Sequence, residues 1–320
     1  MKRLFCGMIT GALVMVASSV MASYPEKPVK IIVPFSPGGT SDFVARLTAQ
    51  KLSDLSGKQF YVENKPGASG RIGYDAGAKA PADGYTIIAA DTSYAMLPGL
   101  YPKLAWVPDT DLKSITVTAQ TPVVIVVNPI TKFKSLKDLI TFAKNNPGKL
   151  NYGSGGAGSA THLSAELFKS VAGVDIAHIP FKGAGEAATG LLSGTVELLI
   201  TSPPTVIGHI KKGTVTALAV SSDKRSAALP NVPSIVEAGL PGYALYFWFG
   251  LMAPKGTPDG VVDYLQKSVA KILVLPEVKE MLAKQIVDPV GSTPIESANQ
   301  LNAETKRWRE IIKSAGVTLD

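Results

Sequence analysis

Short runs of β-branched and other apolar residues alternate along this chain with segments whose apolar residues recur at every third or fourth position. The first pattern is typical of buried strands, and the second is typical of helices that turn one face towards a core. This alternation favours an α/β fold in which helices flank mostly parallel sheets. The predicted strands are residues 29–35, 59–63, 85–90, 123–127, 177–180, 196–200, 215–220 and 246–252.

Two segments near the C-terminus carry the clearest helical faces. Spacings of three and four residues place their apolar side chains on one side of each helix, which indicates core packing. The two faces consist of Val262, Leu265, Val269 and Ile272, and of Ala298, Leu301, Thr305, Trp308 and Ile312.

The chain of 320 residues has room for about two domains with sizeable cores. Its hydrophobic fraction of 46% excludes a disordered chain. The formal net charge of +7 favours solubility and gives only a weak attraction for anions. Nucleic-acid binding is not expected, because arginines are few and the lysines are scattered instead of clustered with aromatic residues.

Residues 1–22 have the pattern of a secretory signal peptide. Lys2 and Arg3 precede an apolar run from residue 7 to residue 20, which is shorter than the roughly 20 apolar residues of a membrane span. We expect cleavage between Ala22 and Ser23 and a soluble protein of a bacterial periplasm. Cys6 is the one cysteine of the chain, so the mature protein would contain no disulfide, thiolate metal site or cysteine nucleophile.

Two strand-to-helix junctions resemble each other, and each contains a glycine-rich turn. Residues 34–42 read PFSPGGTSD, and residues 152–162 read YGSGGAGSATH. Such a junction presents free backbone N–H groups and the positive end of a helix dipole at the carboxyl edge of its sheet. Open α/β sheets bind ligands at that edge. Both turns are therefore predicted to bind an anionic group.

Enzymatic motifs are weak or missing. The second turn contains a dinucleotide-type pattern of Gly153, Gly155 and Gly158, but the acidic residue expected about 20 positions later is Asp175, which precedes its strand. NAD binding is therefore not predicted. The chain has no phosphate-loop or hydrolase-elbow motif. Its three histidines are too far apart for a helical metal pair, so neither a metal nor a cofactor is expected.

Four residues near these turns have both a structural and a functional interpretation. Asp42 and Arg46 are four positions apart on one helix and form either a surface ion pair or, through Asp42, a ligand contact. His162 is either a hydrogen-bonded structural residue or a ligand contact on the first turn of its helix. Lys182 is either a solvated turn residue or a side chain that faces the ligand.

Several motifs in a fixed order resemble the Bug family of solute receptors, the substrate-binding proteins of tripartite tricarboxylate transporters. The match follows the signal peptide and covers essentially the whole mature chain. The motifs are residues 28–42, 63–73 (ENKPGASGRIG), 83–85 (DGY), 152–162, 180–183 (PFKG), 230–234 (PNVPS) and 253–258 (APKGTP).

The resemblance implies a two-domain periplasmic binding protein of type II-like, Venus flytrap architecture. Domain 1 would comprise residues 23–120 and 246–320, and domain 2 would comprise residues 121–245. The ligand cleft would lie between them, with one glycine-rich turn on each side. The chain would cross the hinge near residues 121–122 and again near residues 243–247.

The same resemblance implies a receptor that closes on a small carboxylate and delivers it to membrane subunits of the tripartite tricarboxylate type. Ligands of the family include di- and tricarboxylates, acidic amino acids and aromatic acids. We expect a monomer without catalytic activity. The alternative is an exported enzyme that uses His162 and Asp42 as acid and base on a small anion, but no nucleophile, metal set or cofactor motif accompanies them.

The predicted ligand contacts come from the two turns and from residues that follow other strands. Trp248 fits a buried core position as well as a residue that shuts the pocket. The predicted contacts are Phe35, Ser36, Gly39, Thr40, Ser41 and Asp42 in the first turn; Ser154, Gly158, Ser159, Ala160, Thr161 and His162 in the second; and Thr92, Ser93, Lys182, Gly183, Thr201, Ser202 and Trp248 elsewhere.

Overall fold

The computed structural model describes residues 24–101, 103–104, 111–314 and 316–317. The predicted signal peptide and its cleavage point lie outside these residues. Among the described helices, none combines the length and the apolar character that a membrane crossing requires.

Strands and helices alternate through most of the described chain, as the apolar pattern predicts. The strands are β1 (Val29–Val33), β2 (Phe60–Asn64), β3 (Thr86–Asp91), β4 (Leu112–Pro122), β5 (Val124–Val127), β6 (Asn151–Ser154), β7 (Ala177–Pro180), β8 (Leu198–Thr201), β9 (Thr216–Val220), β10 (Tyr246–Pro254) and β11 (Asp288–Pro289). The helices are α1 (Thr40–Ser56), α2 (Arg71–Ala78), α3 (Thr92–Leu100), α4 (Leu136–Asn145), α5 (Ala160–Ala172), α6 (Ala184–Ser193), α7 (Ile207–Lys212), α8 (Asp259–Leu273), α9 (Pro276–Lys284) and α10 (Pro294–Ser314).

The strands form two sheets of closely similar order. The first sheet runs β11-β4-β10-β3-β1-β2, and the second runs β7-β6-β8-β5-β9. In each sheet, the strand next to one edge, β1 or β6, pairs in parallel with two neighbours that are joined to it through helices. We call the parts of the chain built around these sheets the first lobe and the second lobe. The predicted α/β fold with two sheet-containing units is confirmed.

The sheets are mixed, whereas the sequence pattern favoured mostly parallel sheets. β10 runs antiparallel to β3 and β4, and β5 runs antiparallel to β8 and β9. Parallel neighbours need a crossover connection, usually a helix, between them. β4 instead leads into β5 through Val123 alone, with no helix to reverse the chain. The strands that link the two sheets therefore run antiparallel to the neighbours with which they pair.

The two chain crossings lie side by side. Tyr246 at the start of β10 pairs with Pro122 at the end of β4, so the outgoing and returning strands are hydrogen-bonded neighbours. Two adjacent strands that run from one lobe to the other form a compact connection between them.

Both predicted apolar faces near the C-terminus pack into the core. Val262, Leu265 and Val269 of α8 are buried. On α10, Leu301 and Ile312 are buried and Trp308 is fully inaccessible to solvent. Their spacing therefore identified the core-facing side of each helix correctly.

Candidate functional site

A cavity lies between the lobes, at the carboxyl ends of strands from both sheets. Its wall combines small polar residues with three phenylalanine rings. The lining residues are Phe35, Ser36, Gly39, Thr40, Ser41, Asp42, Asp91, Ser93, Gly155, Ser159, Ala160, Thr161, Ala184, Ser202, Phe247 and Phe249.

Eleven of the predicted ligand contacts are in this wall. The predicted residues that line the cavity are Phe35, Ser36, Gly39, Thr40, Ser41, Asp42, Ser93, Ser159, Ala160, Thr161 and Ser202. The eight predicted residues outside it are Thr92, Ser154, Gly158, His162, Lys182, Gly183, Thr201 and Trp248.

The first glycine-rich turn leaves the N-terminus of α1 uncapped at the cavity. Gly38 adopts a φ of +88°, a conformation that favours glycine, and so reverses the chain after β1. Gly39 is the N-cap of α1, and no side chain of the described residues accepts a hydrogen bond from the first turn there. The N–H groups that open α1 are thus available to a ligand.

Asp42 holds the shape of this turn. Its Oδ2 accepts hydrogen bonds from Arg46 Nε at 2.9 Å and from Gly38 N at 3.3 Å, and its Oδ1 accepts one from Asn64 at 2.9 Å. Burial alone would raise the pKa of Asp42, but these hydrogen bonds outweigh burial and lower it. Asp42 is therefore ionised at neutral pH, and its charge is matched by Arg46.

A second uncapped helix N-terminus reaches the cavity from the other lobe. Gly183 is the N-cap of α6, and within the described chain no side chain caps it. Ala184, the first residue of α6, lines the cavity, and its Cβ lies 3.7 Å from the position of a Cβ added at Gly39. The α1 and α6 N-termini therefore approach each other directly across the cleft.

The second glycine-rich turn differs from the prediction because its own side chains accept hydrogen bonds from most of its N–H groups. Gly155 N donates to Thr161 Oγ1 at 2.8 Å, and Gly158 N donates to His162 Nδ1 at 2.9 Å. Ala160 N, at the start of α5, donates to Ser93 Oγ of the first lobe at 2.8 Å. This turn shapes the cavity wall, whereas α6 supplies the free N–H groups on its side.

His162 belongs to a ring stack beneath the turn and does not line the cavity, in accord with the structural one of its two interpretations. Its ring lies 4.1 Å from that of His178, which in turn stacks on Tyr152 at 4.9 Å. Ser154, also a predicted contact, has its Oγ 2.6 Å from His178 Nε2. Burial lowers the pKa of both histidines, and with the repulsion of His162 and Lys169 it brings the pKa of His178 to about 3.

This stack predicts a loss of stability in acid. The unfolded chain binds protons at its histidines below about pH 6.5, while folded His178 stays neutral until about pH 3. Between these values the unfolded state binds more protons. The free energy of unfolding should therefore decrease as the pH is lowered, by up to about 1.4 kcal/mol per pH unit for this residue. Urea unfolding of the wild type and of His178→Gln at pH 7 and pH 5 measures this pH dependence, which should be smaller in the variant. An equal pH dependence in both proteins would contradict the assignment.

The other predicted contacts outside the cavity have structural surroundings. Thr92 is fully buried, and its Oγ1 accepts a hydrogen bond from Trp248 N at 2.9 Å, which ties α3 to β10. Lys182 is exposed and meets Ser36 only through its carbonyl oxygen, at 3.5 Å from Ser36 N. Gly183 and Thr201 are also buried against neighbouring chain.

Trp248 lines a different cavity, which borders the candidate site at Phe247. That space is bounded by β4, β10 and α10. Successive side chains of a strand point to opposite faces. Phe247 and Phe249 line the candidate site and Trp248, between them, does not, although Phe247 also borders the second cavity.

Residues missed by the sequence analysis complete the wall. Asp91 ends β3, and Phe249 is its partner in the antiparallel register with β10. Phe247 comes from the same returning strand, and Ala184 opens α6. The sequence did contain a signal for Ala184, since Gly183-Ala184-Gly185 follows a strand and opens a helix.

The lobes are in contact around the cavity. Ser36 Oγ donates to Glu186 Oε1 at 2.8 Å, and Ser202 Oγ donates to Thr40 Oγ1 at 2.6 Å. Ser69 Oγ donates to the carbonyl of Ala157. These hydrogen bonds join residues of the first lobe to residues of the second, so the structure has a closed cleft.

Comparison with known proteins shows the family of this fold and site. The family model described as "Tripartite tricarboxylate transporter family receptor" matches residues 44–317. Protein BugT of Bordetella pertussis is 38% identical over 307 residues, which cover 95% of this chain and 94% of BugT.

Two solved structures are similar over nearly their whole length. The periplasmic binding protein BugD is 33% identical with a TM-score of 0.89, covering 92% of this chain and 99% of BugD. The R. palustris protein Rpa4515, solved with adipate, is 36% identical with a TM-score of 0.89 and the same coverage of both chains.

Proposed function

Since this chain belongs to the family of tripartite tricarboxylate transporter receptors, we propose that it is a receptor for one small carboxylate and not an enzyme. The carboxylate binds in the cavity between the lobes. Domain 1 comprises residues 23–120 and 246–320, domain 2 comprises residues 121–245, and the neighbouring strands β4 and β10 act as the hinge.

The observation that carries this proposal is the meeting of two uncapped helix N-termini from different lobes. A carboxylate between α1 and α6 accepts hydrogen bonds from both helices and faces the positive end of both dipoles. Among the described lining residues there is no lysine, arginine or histidine. Backbone N–H groups and the hydroxyls of Ser36, Thr40 and Ser202 therefore supply the donors.

Binding between lobes couples the ligand to closure. A ligand held by both α1 and α6 stabilises the closed arrangement, because it favours the form in which both helices reach it. The contacts of Ser36 with Glu186 and of Ser202 with Thr40 form only in that arrangement. The membrane subunits of the transporter then bind the surface of the closed form.

Membership of the receptor family supports a proposal for the route before and after binding. The protein is exported by its signal peptide, works as a monomer in the periplasm, and delivers the carboxylate to membrane subunits of a tripartite tricarboxylate transporter. The enzymatic alternative receives no support from the geometry, since His162 lies outside the cavity wall and accepts a hydrogen bond from Gly158.

A thermal-shift screen tests the receptor proposal. A ligand present at 100 times its Kd stabilises the native state by about 2.7 kcal/mol, and a protein of this size gains about 2–4 °C in Tm per kcal/mol. We expect a rise of several degrees with at least one member of a library of aliphatic, aromatic, hydroxy, amino and dicarboxylic acids. Each acid should be recovered unchanged after incubation. No shift with any acid, or turnover of the one that binds, would count against the proposal.

A further inference from the structure

One buried carboxylate in the cavity wall has no cation of the described residues beside it. Asp91 is 8% exposed and caps α3 by accepting a hydrogen bond from Ser93 N at 2.9 Å. Its Oδ2 accepts a hydrogen bond from Ser41 Oγ at 2.5 Å. Within the described chain, no lysine, arginine or histidine stabilises this carboxylate, and burial raises its pKa despite these hydrogen bonds.

Asp42, in the same wall, is a buried carboxylate whose charge is neutralised by a cation of the protein. Its charge is paired with Arg46 at 2.9 Å and bound by Asn64 as well. Burying a carboxylate without such a partner is costly. A cation from the ligand would stabilise the ionised form of Asp91, and the cavity that Asp91 lines is where such a group can reach it.

The position of Asp91 determines where that cation would sit. Ser41 is the second residue of α1, so Asp91 is one hydrogen bond away from the helix N-terminus that holds the carboxylate in the proposed function. A positive group that reaches Asp91 must lie close to the ligand carboxylate. A carboxylate and an ammonium on the same carbon meet this condition.

The other lining residues determine which chemical groups the rest of the ligand can carry. Phe35, Phe247 and Phe249 supply apolar surface. A second carboxylate would find no cation among the described lining residues, and it would share the cavity with the negative charge of Asp91. The wall thus favours an apolar body over a second acid group.

We propose that Asp91 is a specificity-determining residue that binds the ammonium of a zwitterionic α-amino acid with an apolar side chain. This inference rests on the proposed function, because it assumes a carboxylate at the α1 N-terminus. It narrows that function from small carboxylates in general to one class and places dicarboxylates among the weaker ligands.

The first test compares matched acids on the wild-type protein. Calorimetry compares leucine with 4-methylpentanoate, and phenylalanine with 3-phenylpropanoate. Because each pair shares its apolar body, the difference in affinity within a pair measures the contribution of the ammonium. We expect the amino acid of the better pair to bind on the order of tenfold or more tightly than its partner. Adipate should bind more weakly than that amino acid. Equal affinities within both pairs, or tighter binding of adipate, would overturn the inference.

The second test removes the charge at Asp91. In Asp91→Asn the amide oxygen still accepts hydrogen bonds and asparagine remains a good N-cap residue, so we expect the fold to be kept. The preference for the amino acid should disappear, and the acid without an ammonium should bind at least as tightly as it does to the wild type. Asp263→Asn removes an equal charge from an exposed position on α8 and should retain the wild-type preference.

The outcomes separate this inference from the proposed function. If no acid of either kind binds, the receptor proposal fails. If acids without an ammonium bind well and Asp91→Asn leaves every ratio unchanged, the proposed function stands and the role of Asp91 is wrong. Circular dichroism and the Tm of both variants show whether a change in binding reflects a change in fold.

Discussion

Replacing Gly185 by alanine should weaken ligand binding about ten- to a hundredfold while the fold is kept. A Cβ at this position would lie 2.4 Å from Pro37 O and 3.1 Å from Gly38 C, both backbone atoms of the first lobe. Backbone cannot swing aside as a flexible side chain can, so the lobes must stay further apart. Overpacking of this kind typically costs 1–3 kcal/mol, which corresponds to about that loss of affinity.

The fold should tolerate this change because Gly185 is the second residue of α6. Alanine has a higher helix propensity than glycine, so the second lobe is expected to be as stable as in the wild type or slightly more so. The clash exists only when the lobes meet. The variant therefore separates closure from folding.

Gly208→Ala is the matched control. Gly208 is likewise the second residue of a short helix, α7, and a Cβ there would meet no atom of the described residues within 4 Å. We expect this variant to bind as the wild type does. Calorimetry with the acid that gives the largest thermal shift measures both variants, and wild-type affinity in Gly185→Ala would refute the closed arrangement.

Converting the ligand carboxylate to a primary amide should produce a loss of similar size. The N–H groups at the starts of α1 and α6 are donors, and an amide presents an N–H₂ group where the acid presents an acceptor. Charge-assisted hydrogen bonds are worth roughly 1.5–3 kcal/mol each, so the amide should bind on the order of ten to a hundred or more times more weakly.

Pairs such as leucine with leucinamide and 3-phenylpropanoate with its amide keep the apolar body constant. Calorimetry on each pair measures the contribution of the carboxylate alone. Equal affinity of acid and amide would mean that the carboxylate faces solvent. The uncapped helix N-termini would then be features of the fold without a role in binding.

The first side of the candidate site could be predicted from the sequence because it is local. Residues 34–42 contain the strand end, the turn and the helix start in one stretch, and Phe35, Ser36 and Thr40 all line the cavity. The C-terminal helices were predictable for the same reason, since the spacing that buries Trp308 lies within one element.

The opposite side depends on contacts between distant segments. The second glycine turn looks like the first in sequence, but Thr161 and His162 accept hydrogen bonds from its N–H groups, which depends on side-chain positions that spacing does not show. α6 reaches the cavity only because the lobes bring Ala184 beside Gly39. Phe247 and Phe249 required the register of β10 to be known.

The residue that ends the third strand was overlooked, although one of the residues after it was chosen correctly. The sequence analysis chose Thr92 and Ser93 after the third strand but passed over Asp91, which ends that strand and lines the cavity. Its significance became visible only once its surroundings showed that no cation of the described chain neutralises it.

Small-angle X-ray scattering of the wild type and Gly185→Ala, with and without a saturating carboxylate, tests closure on the ligand most directly. The acid should be the one with the largest thermal shift, at a concentration that calorimetry shows to saturate each protein. We expect the radius of gyration of the wild type to decrease on binding, and that of Gly185→Ala to change less. A wild-type protein that binds the acid at one site per chain, but whose scattering profile is the same with and without it, would contradict the account.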